Sequence, residues 1–164
     1  ALWVSICNAI FYLLKRNIIM KKLFTMGFKE KTAETFFDLI NNAGIKRLMD
    51  IRLHPNTQLA GFCKQNNLEY FLKELLNIDY RHIPLMAPSK DIFNDYRNNG
   101  LEWKDYERRF NILINQRKVE QLIEENEIDR SCLLCLEVEA VNCHRRLVAE
   151  YLQKYFEDIE IIHL

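Results

Sequence analysis

The chain has 164 residues, 49% hydrophobic and 12% aromatic, with 23 basic and 23 acidic side chains and a formal net charge of zero. Burial of so much apolar surface offsets chain entropy, which excludes a disordered protein. The charge balance excludes a polybasic protein that holds nucleic acid by bulk attraction, though not one with a local basic groove.

Length favours one domain, and 4 glycines and 3 prolines leave little room for long linkers. Leu2 to Leu14 is an apolar run interrupted by Ser5 and Asn8 and followed by Lys15 and Arg16. It is shorter than the roughly 20 apolar residues of a spanning helix. It also lacks the leading basic stretch and small-residue cleavage site of a signal peptide. Residues 1–19 are therefore expected to be an extension outside a core domain over residues 20–164, with a helix packed on the domain or on a neighbouring subunit as the first alternative and a membrane anchor as the second. Met20-Lys21-Lys22 reads like an ordinary cytosolic start. No integral membrane span is expected.

From Lys22 short apolar runs alternate with helical ones. Lys22 to Met26 reads as a strand ending at Gly27. Thr32 to Asn42 reads as a helix capped by Thr32, with Phe36, Phe37 and Ile40 on one side and Ala43-Gly44 at its end. Arg47 to Leu53 is a second strand, broken by His54-Pro55. Leu68 to Leu76 is helical by the spacing of Phe71, Leu72, Leu75 and Leu76. Tyr80 to Pro84 is a third strand. Polar helices follow over Lys90 to Asn98 and Trp103 to Asn126, the second broken near Gln116. Ser131 to Val138 is a nearly continuous apolar run of the kind found inside a parallel sheet. Asn142 to Tyr155 is a helix and Ile159 to Leu164 a last strand. The alternation implies an α/β fold: a single domain whose mainly parallel sheet of about five strands is flanked by helices in a Rossmann-like three-layer arrangement. Neither GxGxxG nor GxxxxGK[ST] is present, which argues against a standard dinucleotide site or P-loop.

The five cysteines, Cys7, Cys63, Cys132, Cys135 and Cys143, make a poor disulfide framework, being odd in number and irregular in spacing. Free thiols in the reducing cytoplasm are the expectation.

In an open parallel sheet, ligands bind beyond the carboxyl ends of the strands. Thr25 and Gly27 end the first strand, Asp50, Arg52 and His54 the second, His82 the third, and Cys135, Glu137 and Glu139 the fourth. Asn142 reads as the N-cap of the next helix, placing Cys143, His144 and Arg145 in a first turn where unpaired N–H groups and the helix dipole favour a thiolate or an anion. The competing reading is a buried helix-start thiol with Arg145 in a surface ion pair. Asp50 and Arg52 share a strand face, either as architecture or as an oriented anion fork. Cys132 and Cys135 point to opposite faces and do not form a metal pair. A zinc site from Cys135, Cys143, His144 and one more ligand matches no closed spacing pattern, so no metal is assigned. The aromatics from Phe36 to Phe110 lie at helical spacing and read mostly as core.

These residues together resemble the bacterial and archaeal family known as domain of unknown function 488, from about Lys22 to the C-terminus. The blocks that carry the resemblance are Thr25-Met26-Gly27, Asp50-Ile51-Arg52, Tyr80 to Pro84, and Cys135-Leu136-Glu137 followed by Cys143-His144-Arg145, with Ile161 to Leu164 closing. Phe28-Lys29 stands where the family often has a His-Ser pair, and Thr57 to Phe62 looks like a variant branch. The resemblance implies the fold and a motif map but no reaction.

The expectation is an enzyme acting on a small anionic, phosphate-bearing molecule such as a nucleotide, or on nucleic acid. Cys143, with Cys135 second, is the nucleophile. Glu137 or His144 moves protons, Arg52 and Arg145 hold the anion, Asp50 orients Arg52, and Thr25 and Gly27 complete the pocket. The alternatives are a non-catalytic anion- or partner-binding module and a metal-binding protein. No cofactor is legible, and a homodimer is compatible with the sequence.

Overall fold

A computed structural model describes residues 20–56 and 60–164. The extension expected over residues 1–19 and part of the Thr57 to Phe62 stretch lie outside these residues.

The elements in chain order are β1 (Lys21–Gly27), α1 (Ala33–Asn42), β2 (Arg47–Asp50), α2 (Gln65–Leu76), β3 (Asp79–His82), α3 (Lys90–Asn98), α4 (Trp103–Gln116), β4 (Ser131–Cys135), α5 (His144–Tyr155) and β5 (Ile159–His163). The five strands form one parallel sheet in the order β3-β2-β4-β1-β5. β4 lies between β2 and β1, pairing Cys132 with Leu48 and Phe24 and Cys135 with Gly27. Every residue of β4 is buried, the reason its sequence is apolar after Ser131, whose hydroxyl donates to the Glu127 carbonyl.

Side chains alternate across the sheet with period two. Phe24, Leu48, Cys132 and Leu134 pack on one face against Phe36 and Ile40 of α1 and Leu68 and Leu72 of α2. Leu23, Met49 and Leu133 pack on the other against Tyr106 and Phe110 of α4 and Leu147, Val148 and Leu152 of α5, with Ile92 of α3. The result is the expected three-layer α/β arrangement. Among the described residues, no helix is long and apolar enough to cross a membrane.

The Thr32 hydroxyl accepts from the Thr35 N–H at 3.1 Å and starts α1, and Gly44, at φ 65°, turns the chain after it. The break expected near Gln116 is present: α4 ends there, and Lys118 takes a left-handed φ of 49°.

Among the boundaries that differ from the sequence reading, such as α2 beginning at Gln65 and β3 ending at His82, three shape the carboxyl edge of the sheet. β2 ends at Asp50 rather than Leu53, because the Asp50 carboxylate accepts the Arg52 N–H at 3.1 Å and bends the chain. β4 stops at Cys135 rather than Val138, where the next residues fold over the end of β1. There Lys29 N–H donates to the Leu136 carbonyl at 3.0 Å. Finally, α5 is capped by Cys143, in extended backbone at φ −135°, and not by Asn142. A turn closed from Cys143 N–H to the Ala140 carbonyl at 3.1 Å delays the helix by one residue.

Candidate active site

The carboxyl ends of β2 and β4 and the residue following β1 meet at a cavity of about 210 Å³, roofed by α3, α4 and the start of α5. Its polar lining includes Arg52, His54, Cys135, Glu137, Cys143 and His144. Phe28, Phe93, Tyr96, Trp103 and Tyr106 make the remaining wall largely aromatic. Residues far apart in the chain converge here because parallel strands deliver all their carboxyl ends to one edge.

Cys135, His144 and Cys143 form the floor. Cys135 Sγ lies 3.5 Å from His144 Nδ1, and His144 Nε2 lies 2.9 Å from the Ile51 carbonyl oxygen. A carbonyl only accepts, so Nε2 is the donor and carries a proton. In the neutral ring Nδ1 then presents its lone pair to the thiol. The donor atoms of Cys135, Cys143 and His144 lie within 4.8 Å of one another, and all three residues are buried. Burial pushes the Cys135 thiol up, but hydrogen bonds from Cys143 and from the Leu136 backbone, together with the Arg145 guanidinium, outweigh it and hold the thiol below its usual range. The hydrogen bond to Cys135 and burial push Cys143 the other way. The two buried thiols are thus shifted in opposite directions.

Arg52 stands beside this floor, 4% exposed. Its Nε and Nη2 reach the Asp50 carboxylate at 2.7 and 2.5 Å, and the Tyr80 hydroxyl donates to the same carboxylate at 2.7 Å. Nη1 is left as a buried donor without a partner among the described residues. The guanidinium lies over the Phe28 ring, 5.1 Å from its centroid. An unsatisfied buried N–H on a charged group is costly and calls for an acceptor. Asp50 itself is fully buried behind Arg52 and does not line the cavity.

Arg145, Thr25 and Gly27 are near the floor but outside the lining. Arg145 donates from Nη1 to the Glu137 carbonyl, from Nη2 to the Val138 carbonyl at 2.8 Å, and from Nη1 to Cys143 Sγ at 3.5 Å. It clamps the loop after β4 rather than facing the cavity. A side chain on Gly27 would fall on the Glu137 carbonyl oxygen, so only glycine lets that loop lie against β1. Thr25 Oγ1 is 2.6 Å from His163 Nδ1, tying β1 to β5. His82 Nε2, 3.0 Å from the Arg52 carbonyl, braces the same turn from β3.

At the mouth the Glu137 carboxylate pairs with Arg97 of α3. The guanidinium of Arg97 also lies over the Phe93 ring, 5.8 Å from its centroid.

The model of the family described as Domain of unknown function DUF488 matches residues 32–152. The chain belongs to the DUF488 family. The matched stretch of this DUF488 protein includes Asp50, Arg52, Cys135, Glu137 and Cys143-His144-Arg145, while Thr25, Gly27, Phe28 and His163 lie outside it. No curated protein and no solved structure matches the chain.

Sequence reasoning missed Arg97 and the aromatic wall of the DUF488 cavity. The signal was one face of α3, where Phe93, Tyr96 and Arg97 fall at helical spacing. Tyr96, Trp103 and Tyr106 read as core, yet they form a packed row whose surface also lines the cavity, with centroids of successive rings 4.9 to 5.8 Å apart.

Proposed function

We propose that this DUF488 protein is an enzyme that attacks an anionic, phosphate-bearing substrate, such as a nucleotide or nucleic acid, with the thiolate of Cys135. The observation that carries the reading is the Cys135–His144 contact at the floor of a cavity beside the unpartnered Nη1 of Arg52. The sequence favoured Cys143 as nucleophile. The unequal sharing of protons between the two thiols favours Cys135.

In this scheme the Cys135 proton passes to Nδ1 of His144, giving an imidazolium whose Nε2–H remains on the Ile51 carbonyl. The sulfur bonds to the electrophilic atom, the bond to the leaving group breaks, and the imidazolium returns the proton to that group. Arg52 donates Nη1 to the substrate's anionic oxygen, with Asp50 orienting it. The aromatic walls suit the flat face of a base. Glu137 and Arg97 hold the mouth, and Arg145 fixes the loop that carries Glu137.

The test is the rate of Cys135 alkylation by iodoacetamide against pH, read by peptide mass, together with thermal shifts in AMP and in inorganic phosphate for the wild type and Arg52→Met. Cys135 is expected to react below the ordinary thiol midpoint of about 8.5, and AMP to stabilise the wild type but not the variant. An ordinary thiol profile at Cys135 overturns the reading. Such a profile with AMP stabilisation retained leaves a binding module instead.

A further inference from the structure

Cys143 has no part in the proton transfers above, yet it lies against the nucleophile. Its sulfur, Cys135 Sγ and the His144 ring nitrogen are within 4.8 Å of one another, and both cysteines line the cavity. Cys143 is the N-cap of α5, in extended backbone outside the helix, and its side chain makes no capping hydrogen bond. Thus the helix does not need this sulfur where it stands. Cys63 and Cys132, also buried, lie outside the cavity lining.

We infer that Cys143 is the resolving thiol of Cys135, and that the two close a reversible disulfide at the cavity floor when a peroxide oxidises Cys135. The inference rests on the reading of Cys135 as the activated thiol.

The Cys135 thiolate attacks one oxygen of hydrogen peroxide, the O–O bond breaks and hydroxide leaves. The sulfur is oxidised to a sulfenic acid and the peroxide is reduced. Cys143 sulfur then attacks Cys135 sulfur: the S–S bond forms, the S–O bond breaks, and the hydroxyl leaves as water with the Cys143 proton. A dithiol reductant returns both thiols. The sulfurs must close to about 2.05 Å, a short approach from within 4.8 Å. The extended residue outside the helix is the one free to make it.

The same three donor atoms resemble part of a zinc site, and the local field decides between the two. Arg145 Nη1 is 3.5 Å from Cys143 Sγ, and the sulfurs lie at the N-terminus of α5. Both place positive potential where a dication would sit, while favouring thiolates without one. The disulfide also disables the proposed nucleophile, so oxidation would switch the site off.

The experiment treats the full chain with hydrogen peroxide and reads it by intact and peptide mass. The expected result is loss of two hydrogen atoms, a peptide joining Cys135 to Cys143, and reversal by dithiothreitol. In Cys143→Ser the Cys135 sulfenic acid should accumulate and be trapped by dimedone. In Cys135→Ser no bridge to Cys143 should form, since the sulfur that is oxidised to the sulfenic acid is gone. Cys63→Ser should change nothing. The inference is overturned if Cys135 is rapidly alkylated but no bridge to Cys143 forms, which leaves the proposed function standing. It is also overturned if one zinc ion per chain copurifies and shields both thiols until chelated. Slow, ordinary alkylation of Cys135 overturns the proposed function as well.

Discussion

His144 Nε2 donates to the Ile51 carbonyl at 2.9 Å, so the nitrogen turned toward Cys135, 3.5 Å away, is Nδ1. The strand end after β2 thereby sets the protonation geometry of a histidine 93 residues further along the chain. His144→Ala removes the proton acceptor and leaves the Ile51 carbonyl without its donor. Alkylation of Cys135 at neutral pH should fall by roughly a hundredfold, the lower range for a positioned acid–base group. Unfolding free energy should fall by about 1–3 kcal/mol for the orphaned carbonyl. A rate unchanged from wild type, in a variant that folds, would show that the imidazole does not serve the thiol.

The Asp50 carboxylate also accepts from the Tyr80 hydroxyl, and neither member of the Asp50–Arg52 pair is appreciably exposed. Removing one partner leaves an uncompensated buried charge. Asp50→Ala should cost about 3–5 kcal/mol in a denaturant titration. The double variant Asp50→Ala/Arg52→Met should cost clearly less than the sum of the single changes, because it removes both charges together. Strict additivity would mean that the two side chains are not energetically coupled.

Most of the fold was legible because burial writes simple patterns. Cys132 to Cys135 is apolar throughout since both faces are covered, and Thr32 and Gly44 mark the ends of α1 by ordinary cap chemistry. The errors arose where a distant group competes with local propensity. Val138 reads as strand, but its carbonyl is taken by Arg145, and Asn142 is the better cap by type but is pre-empted by the turn at Ala140. Arg145 looked like an anion clamp for the same reason: nothing local reveals that its fork is already occupied by the loop it follows. The convergence of Arg52, Cys135 and His144 was legible from the strand ends together with the helix start that follows β4. Arg97 was not, because its partner Glu137 is 40 residues away and an exposed helix arginine is ordinarily solvated.

Gly27 offers a direct test of how the loop after β4 is held. A methyl group there would meet backbone, the Glu137 carbonyl, and not the flexible end of a side chain. Gly27→Ala must therefore lift the loop from β1, separating Glu137 and Val138 from Arg145. A loss of about 3 kcal/mol or more is expected, beyond ordinary overpacking. The alkylation midpoint of Cys135 should also rise, since Leu136 and Arg145 both help to hold the thiolate. Stability close to wild type would show that the loop yields without cost.

Alkaline pH should destabilise the protein, and the sign follows from the buried acids. Burial pushes the Cys63 thiol up to about 12 and raises Cys132 further. Tyr80 is raised by burial and by the neighbouring Asp50 carboxylate, and Tyr106 chiefly by burial. A group whose folded pKa exceeds its unfolded value keeps its full contribution below the unfolded pKa and loses it as pH rises toward the folded one. For the thiols that loss begins near pH 8.5, and for the tyrosines near pH 10, each group adding a slope of about 1.4 kcal/mol per pH unit once its unfolded form is ionised. Cys135 has the opposite sign: its depressed folded pKa adds stability above the unfolded thiol value that is lost as pH falls through the folded pKa. Urea titrations from pH 7 to about 10.5 should therefore show a midpoint that declines above about pH 9. Cys63→Ala should flatten that decline by one group's slope while lowering the midpoint at pH 7 for the cavity it leaves. A midpoint that stays level to pH 10.5 would mean that these thiols and phenols ionise as readily in the folded chain as in the unfolded one.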